Sequence, residues 1–261
     1  MPRLPTLFIS HGSPMLALID SPARRFLQQL GKSLPRPSAI VVVSAHWESL
    51  GGPAVSLAAQ PATIHDFGGF PRALSEIQYP APGQPQVGEQ AAALLEAAGF
   101  AVKRSDVRGL DHGAWVPLCL MYPAADIPTL QVSVLRGGSP AEHERLGLAL
   151  SALRDQGVLV VGSGSLTHNL YEFRGQDIDE AAPAWVSEFS DWMNDKLGHG
   201  QREALLNYRQ EAPHAARNHP TDEHLMPLFA AMGAAGAGAR AERIHASFEY
   251  GVLAMDAYAF A

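Results

Sequence analysis

Five histidines stand where an apolar run has just ended or a turn begins. They are His11 in Phe8-Ile9-Ser10-His11-Gly12-Ser13-Pro14, His46 in Val43-Ser44-Ala45-His46-Trp47, His112 in Asp111-His112-Gly113, His168 in Leu166-Thr167-His168-Asn169, and His224 in Thr221-Asp222-Glu223-His224. Neutral imidazole is the commonest metal ligand and the commonest general base near pH 7. Residues scattered along a chain but similarly placed at element ends can meet at one point. The chemistry this set points to is a metal centre with histidines left over for proton transfer.

A metal that activates two substrates at once needs few protein ligands. Octahedral Fe(II) held by three side chains keeps three positions open, enough for a chelating catecholate and dioxygen. Three of the five histidines could serve as ligands, leaving two for proton transfer and oxygen handling. A structural zinc site would instead be closed by four ligands and would usually include cysteine. Cys119 is the only cysteine and is flanked by Leu118, Leu120 and Met121, so it reads as a core thiol. A catalytic site is favoured over a structural one.

These histidines have to be carried by regular elements. Short apolar runs over residues 6–10, 39–45, 129–135 and 157–163 read as strands. The β-branched density of Val41-Val42-Val43 and Val158-Leu159-Val160-Val161 predicts strands covered on both faces, as in a largely parallel sheet. Helical patterns alternate with them. One spans 87–98 and stops at Gly99; another opens at Ser139-Pro140 and runs to Gly157; two more cover 182–197 and 221–232. Residues 233–239 are rich in glycine and alanine and read as a loop before a last strand over 244–250. The alternation predicts an α/β fold, a single domain over residues 1–261 with a central, largely parallel or mixed sheet covered by helices on both faces. In such sheets ligands bind beyond the carboxyl ends of the strands, where His11, His46 and His168 fall.

Composition narrows the function classes. The chain has 261 residues, 47% hydrophobic and 17% charged, with a net charge of −7. That balance argues against nucleic acid or an anionic membrane as the main partner. No apolar stretch reaches the ~18 residues a spanning helix needs. The segment Met1-Pro2-Arg3-Leu4-Pro5 lacks a signal peptide's apolar core. A cytoplasmic enzyme acting on a small molecule is the expectation, with oligomeric state left open.

Six ordered motifs then carry a resemblance over essentially the whole chain. They are His11-Gly12-Ser13-Pro14, Ser44-Ala45-His46-Trp47, Thr63-Ile64-His65-Asp66-Phe67-Gly68-Gly69-Phe70-Pro71, Leu110-Asp111-His112-Gly113-Ala114-Trp115, the segment from Ser163 to Leu170, and Pro220-Thr221-Asp222-Glu223-His224. Together they resemble the class III extradiol ring-cleavage dioxygenases, in particular the 4,5-DOPA dioxygenase branch. The resemblance implies opening of a substituted, DOPA-like catechol by dioxygen to a muconate semialdehyde-type product. It implies one divalent metal, Fe(II) for catalysis, in a site that Zn(II) can also fill. His11, His46 and His224 are the implied ligands, with Glu223 a second possibility for the third place. His168 is the implied acid/base that deprotonates the catechol. His112 is implied to stabilise dioxygen or a ring oxygen, and His65 to contact the substrate's side chain.

The other histidines have plainer readings. His143, between Glu142 and Glu144, is expected on a solvated helix face, and His199 at a helix carboxyl end. His214 and His219 flank the metal motif in a polar loop, and His245 is a core or pocket residue. Trp47 and Trp115 follow motif histidines and read as pocket walls. Two other functions fit some of these features: a zinc hydrolase using a three-histidine site, and a non-catalytic scaffold that keeps the fold.

Overall fold

The two β-branched runs lie side by side, Ile40 opposite Leu159 and Ser44 opposite Ser163, in parallel register at the centre of the sheet. The computed structural model describes residues 3–261, so the reading of Met1 and Pro2 lies outside it. Ten strands follow in chain order: β1 (Thr6–Ser10), β2 (Ala39–Ser49), β3 (Ala54–Ser56), β4 (Lys103–Ser105), β5 (Thr129–Leu135), β6 (Val158–Gly164), β7 (Ala241–His245), β8 (Phe248–Glu249), β9 (Leu253–Ala254) and β10 (Ala257–Phe260). Eight form one sheet in the order β4-β3-β5-β2-β6-β1-β10-β7. The central four, β5-β2-β6-β1, are mutually parallel. Antiparallel pairings of β3 on β5 and β10 on β1 extend the sheet on either side. It is therefore mixed with a parallel core. Every residue of β1 and β6 is buried, as strands covered on both faces must be.

Strand alternation sends neighbouring residues of β6 to opposite faces. Gly162 and Gly164 face the helix Met226–Ala235, while Ser163 reaches Gly113 at the start of the helix His112–Met121. The helix Pro140–Leu150 packs on Met226–Ala235, and Pro22–Ser33 packs on His112–Met121. The parallel centre aims the carboxyl ends of β1, β2, β5 and β6 the same way. No helix among the described residues is long and apolar enough to cross a membrane.

Several boundaries differ from expectation. The helix expected over 221–232 is observed as Met226–Ala235, with Pro227 in its first turn, where its missing N–H leaves no helical bond unmade, so His224 precedes the helix. Gly233 belongs to that helix, and the loop begins at Gly236. The last strand expected over 244–250 divides into β7 and β8, and the true final strand is β10, paired with β1. The pattern from Ser139 to Gly157 forms Pro140–Leu150 and then a 3-10 segment, Ser151–Gln156. The helices Pro22–Ser33 and His112–Met121 were not anticipated.

His143 corrects the reading of an exposed face. It is fully buried on the inward side of its helix with Leu146, Gly147 and Leu150. Its Nε2 accepts from the Leu135 amide at 2.9 Å, and its Nδ1 donates to the Ser139 carbonyl at 2.9 Å. Burial lowers its pKa from 6.5 to about 4. The folded state thus binds this proton less readily than the unfolded chain. The contribution is complete above about pH 6.5 and is lost as pH falls toward 4, about 2 kcal/mol between pH 7 and pH 5. Urea unfolding at both pH values should show a shallower loss for His143→Gln than for the wild type. Equal losses would mean His143 is not the titrating group.

Candidate metal centre

The first site histidine follows β1 directly. The His11 amide donates to the Gly164 carbonyl at 2.9 Å, which pins the end of β1 to the end of β6. Gly12 then turns away with φ of +61°, a left-handed conformation suited to glycine. His46 was expected just past a strand, but β2 continues to Ser49. The pairing of β2 with β5 shifts register between Ser44 and Glu48. Such a bulge re-aims side chains locally, and the irregular stretch contains His46. His224 is held by backbone contact. A Cβ at Gly164 would lie 2.0 Å from the His224 carbonyl oxygen, which instead accepts from the Ser165 amide at 2.9 Å. Only glycine permits that approach.

These three imidazoles meet nitrogen to nitrogen. His11 Nε2 lies 3.0 Å from His46 Nε2, and His224 Nε2 lies 3.2 Å from the same atom. The outer nitrogens decide where the protons sit. The Ser163 hydroxyl donates to the Gly113 carbonyl, so toward His11 Nδ1, 3.0 Å away, it can only accept. His224 Nδ1 donates to Glu223 Oε1 at 3.0 Å. His46 Nδ1 faces Asp66 Oδ2 at 3.6 Å, beyond hydrogen-bond range but close enough for the carboxylate to favour a proton there. With protons on the outer nitrogens, three lone pairs converge with no hydrogen among them. A cation relieves that repulsion, and the donor set fits one divalent metal ion.

Electrostatics keep the cluster neutral. Burial, then repulsion from neighbouring histidines, holds His11 and His224 well below the usual histidine range. Burial first, then His112, lowers His46 to about 4. Burial likewise lowers His168 to about 4. Neutral imidazoles are what metal ligation and proton acceptance require.

The two further histidines flank the three. The His112 ring centroid is 3.8 Å from that of His46 and 5.4 Å from that of His11. Its helix is capped by the fully buried Asp111, which accepts from Ser44 Oγ at 2.7 Å, Gln131 Nε2 at 2.7 Å and Arg108 Nη2 at 2.6 Å. These bonds tie β2, β5 and the helix together behind His112. The His168 ring stacks on His224, centroids 3.5 Å apart and 8° from parallel. Its loop is clasped from the facing segment: the His168 amide donates to the Asn218 carbonyl at 3.0 Å, and His219 Nε2 donates to the Leu166 carbonyl at 2.8 Å.

Other expectations resolve around this cluster. His65 sits outside it, packed on Phe67 and Trp115 with Nε2 donating to the Ile77 carbonyl at 2.9 Å. Trp115 is fully buried and bonds the Ile64 carbonyl, while Trp47 is half-buried beneath Arg108. His219 is a buried clasp and His214 a surface partner of Glu188. His245 stacks on Phe26, and His199 caps its helix with Nδ1 on the Asp195 carbonyl. Cys119 is partly buried, its thiol pushed up to about 11 by burial. Ser163 and Asp66 were not singled out beforehand. Asp66 Oδ1 accepts from both the backbone amide and Nδ1 of His112, at 3.0 and 2.9 Å. Burial raises the Asp66 carboxyl, but the His112 bonds outweigh it and hold the group at about 2.

Residues 5–261 match the family described as the catalytic LigB subunit of aromatic ring-opening dioxygenase. A Beta vulgaris protein named "4,5-DOPA dioxygenase extradiol" is 44% identical over 261 residues, covering 98% of this chain and 96% of its own. An Escherichia coli K12 protein of the same name is 41% identical, covering 89% of this chain and 85% of its own. A crystal structure of an uncharacterized Escherichia coli K12 protein superposes with a TM-score of 0.83 at 35% identity, covering 99% of this chain and 100% of that one. Between ring-opening dioxygenase, zinc hydrolase and scaffold, these findings select the first: the chain belongs to the LigB family of aromatic ring-opening dioxygenases and is an extradiol ring-cleaving enzyme.

Proposed function

We propose that residues 1–261 form one catalytic domain that opens the ring of a DOPA-like catechol, with His11, His46 and His224 holding Fe(II). The observation carrying this reading is the convergence of three Nε2 atoms, His11 and His224 each within 3.2 Å of His46, with His112 and His168 packed against the same cluster. Bound there, Fe(II) would acidify a catechol hydroxyl and allow electron exchange between ring and dioxygen; Zn(II) in the same place has no redox chemistry. Glu223 is not the third ligand in this reading, because its carboxylate is engaged behind the His224 ring.

The protein's own residues supply the proton handling. His168 is neutral near pH 7 and lies flat on His224, so it can take a hydroxyl proton from a catechol seated beside the cluster and return it later. His112 faces the cluster from the His46 side and contacts a ring oxygen or dioxygen. His65 has Nε2 committed to Ile77, so Nδ1 is the atom proposed to meet the substrate's side chain. The relatives named for 4,5-DOPA make such a catechol the first substrate to test. A cytoplasmic setting is part of the proposal.

Anaerobic loading with Fe(II), followed by oxygen-uptake and absorbance measurements across substituted catechols, tests it. The expected result is oxygen consumption with a DOPA-like catechol and a yellow product whose colour depends on pH. Uptake with no catechol in the panel would overturn the substrate class.

A further inference from the structure

We propose that Asp66 is a positioning residue for ring cleavage, acting through His112. The inference rests on the functional reading above for its effect on turnover, but not for its structural content. One carboxylate oxygen, Oδ1, accepts both the His112 amide at 3.0 Å and His112 Nδ1 at 2.9 Å. The other, Oδ2, lies 3.6 Å from His46 Nδ1. Asp66 thus grips the backbone and ring of His112 together and reaches the back of a proposed ligand. It lies 46 residues from His112 in sequence, so the contact depends on the folded loop that carries His65 to Phe70.

The consequence is a fixed tautomer. An ionised carboxylate only accepts, so the His112 proton belongs on Nδ1. Nε2, on the other side of the ring, is then a bare acceptor that a catechol hydroxyl can address. Without Asp66 the proton is free to move to Nε2, and the acceptor becomes a donor. The ring also loses the contact that fixes its rotation beside His46. An imidazole that presents N–H in place of a lone pair loses the contact to a ring oxygen assigned to it above, so the cost should fall on turnover rather than on substrate binding. His46 keeps its place through the register shift in β2 and the cluster itself, so metal affinity should fall by no more than the roughly 10–100-fold of a lost outer contact and saturating metal should restore full occupancy.

Two measurements test this. The first is the nitrogen-15 spectrum of the histidine rings in the Zn(II)-loaded protein, which is diamagnetic and needs no turnover. His112 should show the Nδ1–H tautomer in the wild type and in Asp66→Asn, whose amide oxygen can still accept, and should lose it in Asp66→Ala. The second is kinetics on the Fe(II) form. At full metal occupancy, Asp66→Ala should lower kcat about 10–100-fold, with KM within about 3-fold of wild type. Asp66→Asn should recover most of the loss, and Asp66→Ala/His112→Ala should be no slower than His112→Ala alone. An Nε2–H wild-type His112, an unchanged tautomer in Asp66→Ala, or losses that multiply in the double variant would each overturn the proposal. If no catechol is turned over at all, the tautomer result still decides the role of Asp66, and only the substrate reading fails.

Discussion

Alanine in place of His224 should strip the metal, whereas alanine in place of His168 should leave the metal and remove most of the turnover. The two rings are stacked 3.5 Å apart, so this contrast separates ligation from proton transfer between neighbours. His224 Nε2 belongs to the converging trio, and removing it leaves two donors. Metal affinity should drop by more than the 10–100-fold that a typical outer contact costs, on the order of 100-fold or beyond. His168 is not in that trio; its ligand atom lies with those of Glu223 and His224, a second group that could hold a metal ion, so the metal content of its variant is what decides its role. His224 does not depend on the stack for its orientation, because Glu223 holds its Nδ1 and Ser165 holds its carbonyl. Loss of a positioned acid/base should cost about 10²–10⁴-fold in kcat. Metal analysis beside oxygen uptake on the two purified variants is the measurement. Metal content falling in parallel with activity in His168→Ala would make His168 a ligand and undo the division of roles.

What could be read from the sequence, and what could not, follows the range of the interactions. The central strands were legible because Ile40–Val43 and Val158–Val161 carry their burial in composition alone. With the strands came the location of His11 and His168, since parallel strands present their carboxyl ends together. Neighbouring residues in sequence were harder to separate. Glu223 and His224 both offered a ligand atom, with His224 favoured; the close approach of Gly164 to His224 holds that imidazole toward His46, and the Glu223 carboxylate lies behind it on Nδ1. Asp66 and Ser163 were invisible as partners, because each meets its histidine across 46 and 152 residues. His143 was misread from its charged neighbours, although its spacing with Leu146, Gly147 and Leu150 is that of an inward helical face. Charge next door in sequence says little about direction on a helix. The helix Pro22–Ser33 carries its signal in Ser21-Pro22, a capping residue followed by proline at the first position.

Exchanging Fe(II) for Zn(II) should leave the fold and catechol binding nearly intact and abolish oxygen consumption. The structural half follows from how the ligands are held. His11 is fixed by Ser163, His224 by Glu223 and the backbone at Ser165, and His46 by the register shift in β2, none of which involves the ion. These contacts hold the three imidazoles whichever cation is bound, and three imidazoles accept either one. Thermal unfolding and catechol titration on the two reconstituted forms should agree closely. The chemical half follows from the electron count: dioxygen must gain electrons from the ring, and a d10 ion with no accessible second oxidation state cannot mediate that exchange. The nearby histidines cannot substitute for it, since imidazole side chains exchange protons and not electrons. Oxygen uptake by the zinc form at the rate of the iron form would therefore refute the redox role, whereas ester hydrolysis by the zinc form alone would revive a hydrolytic use of the same three histidines.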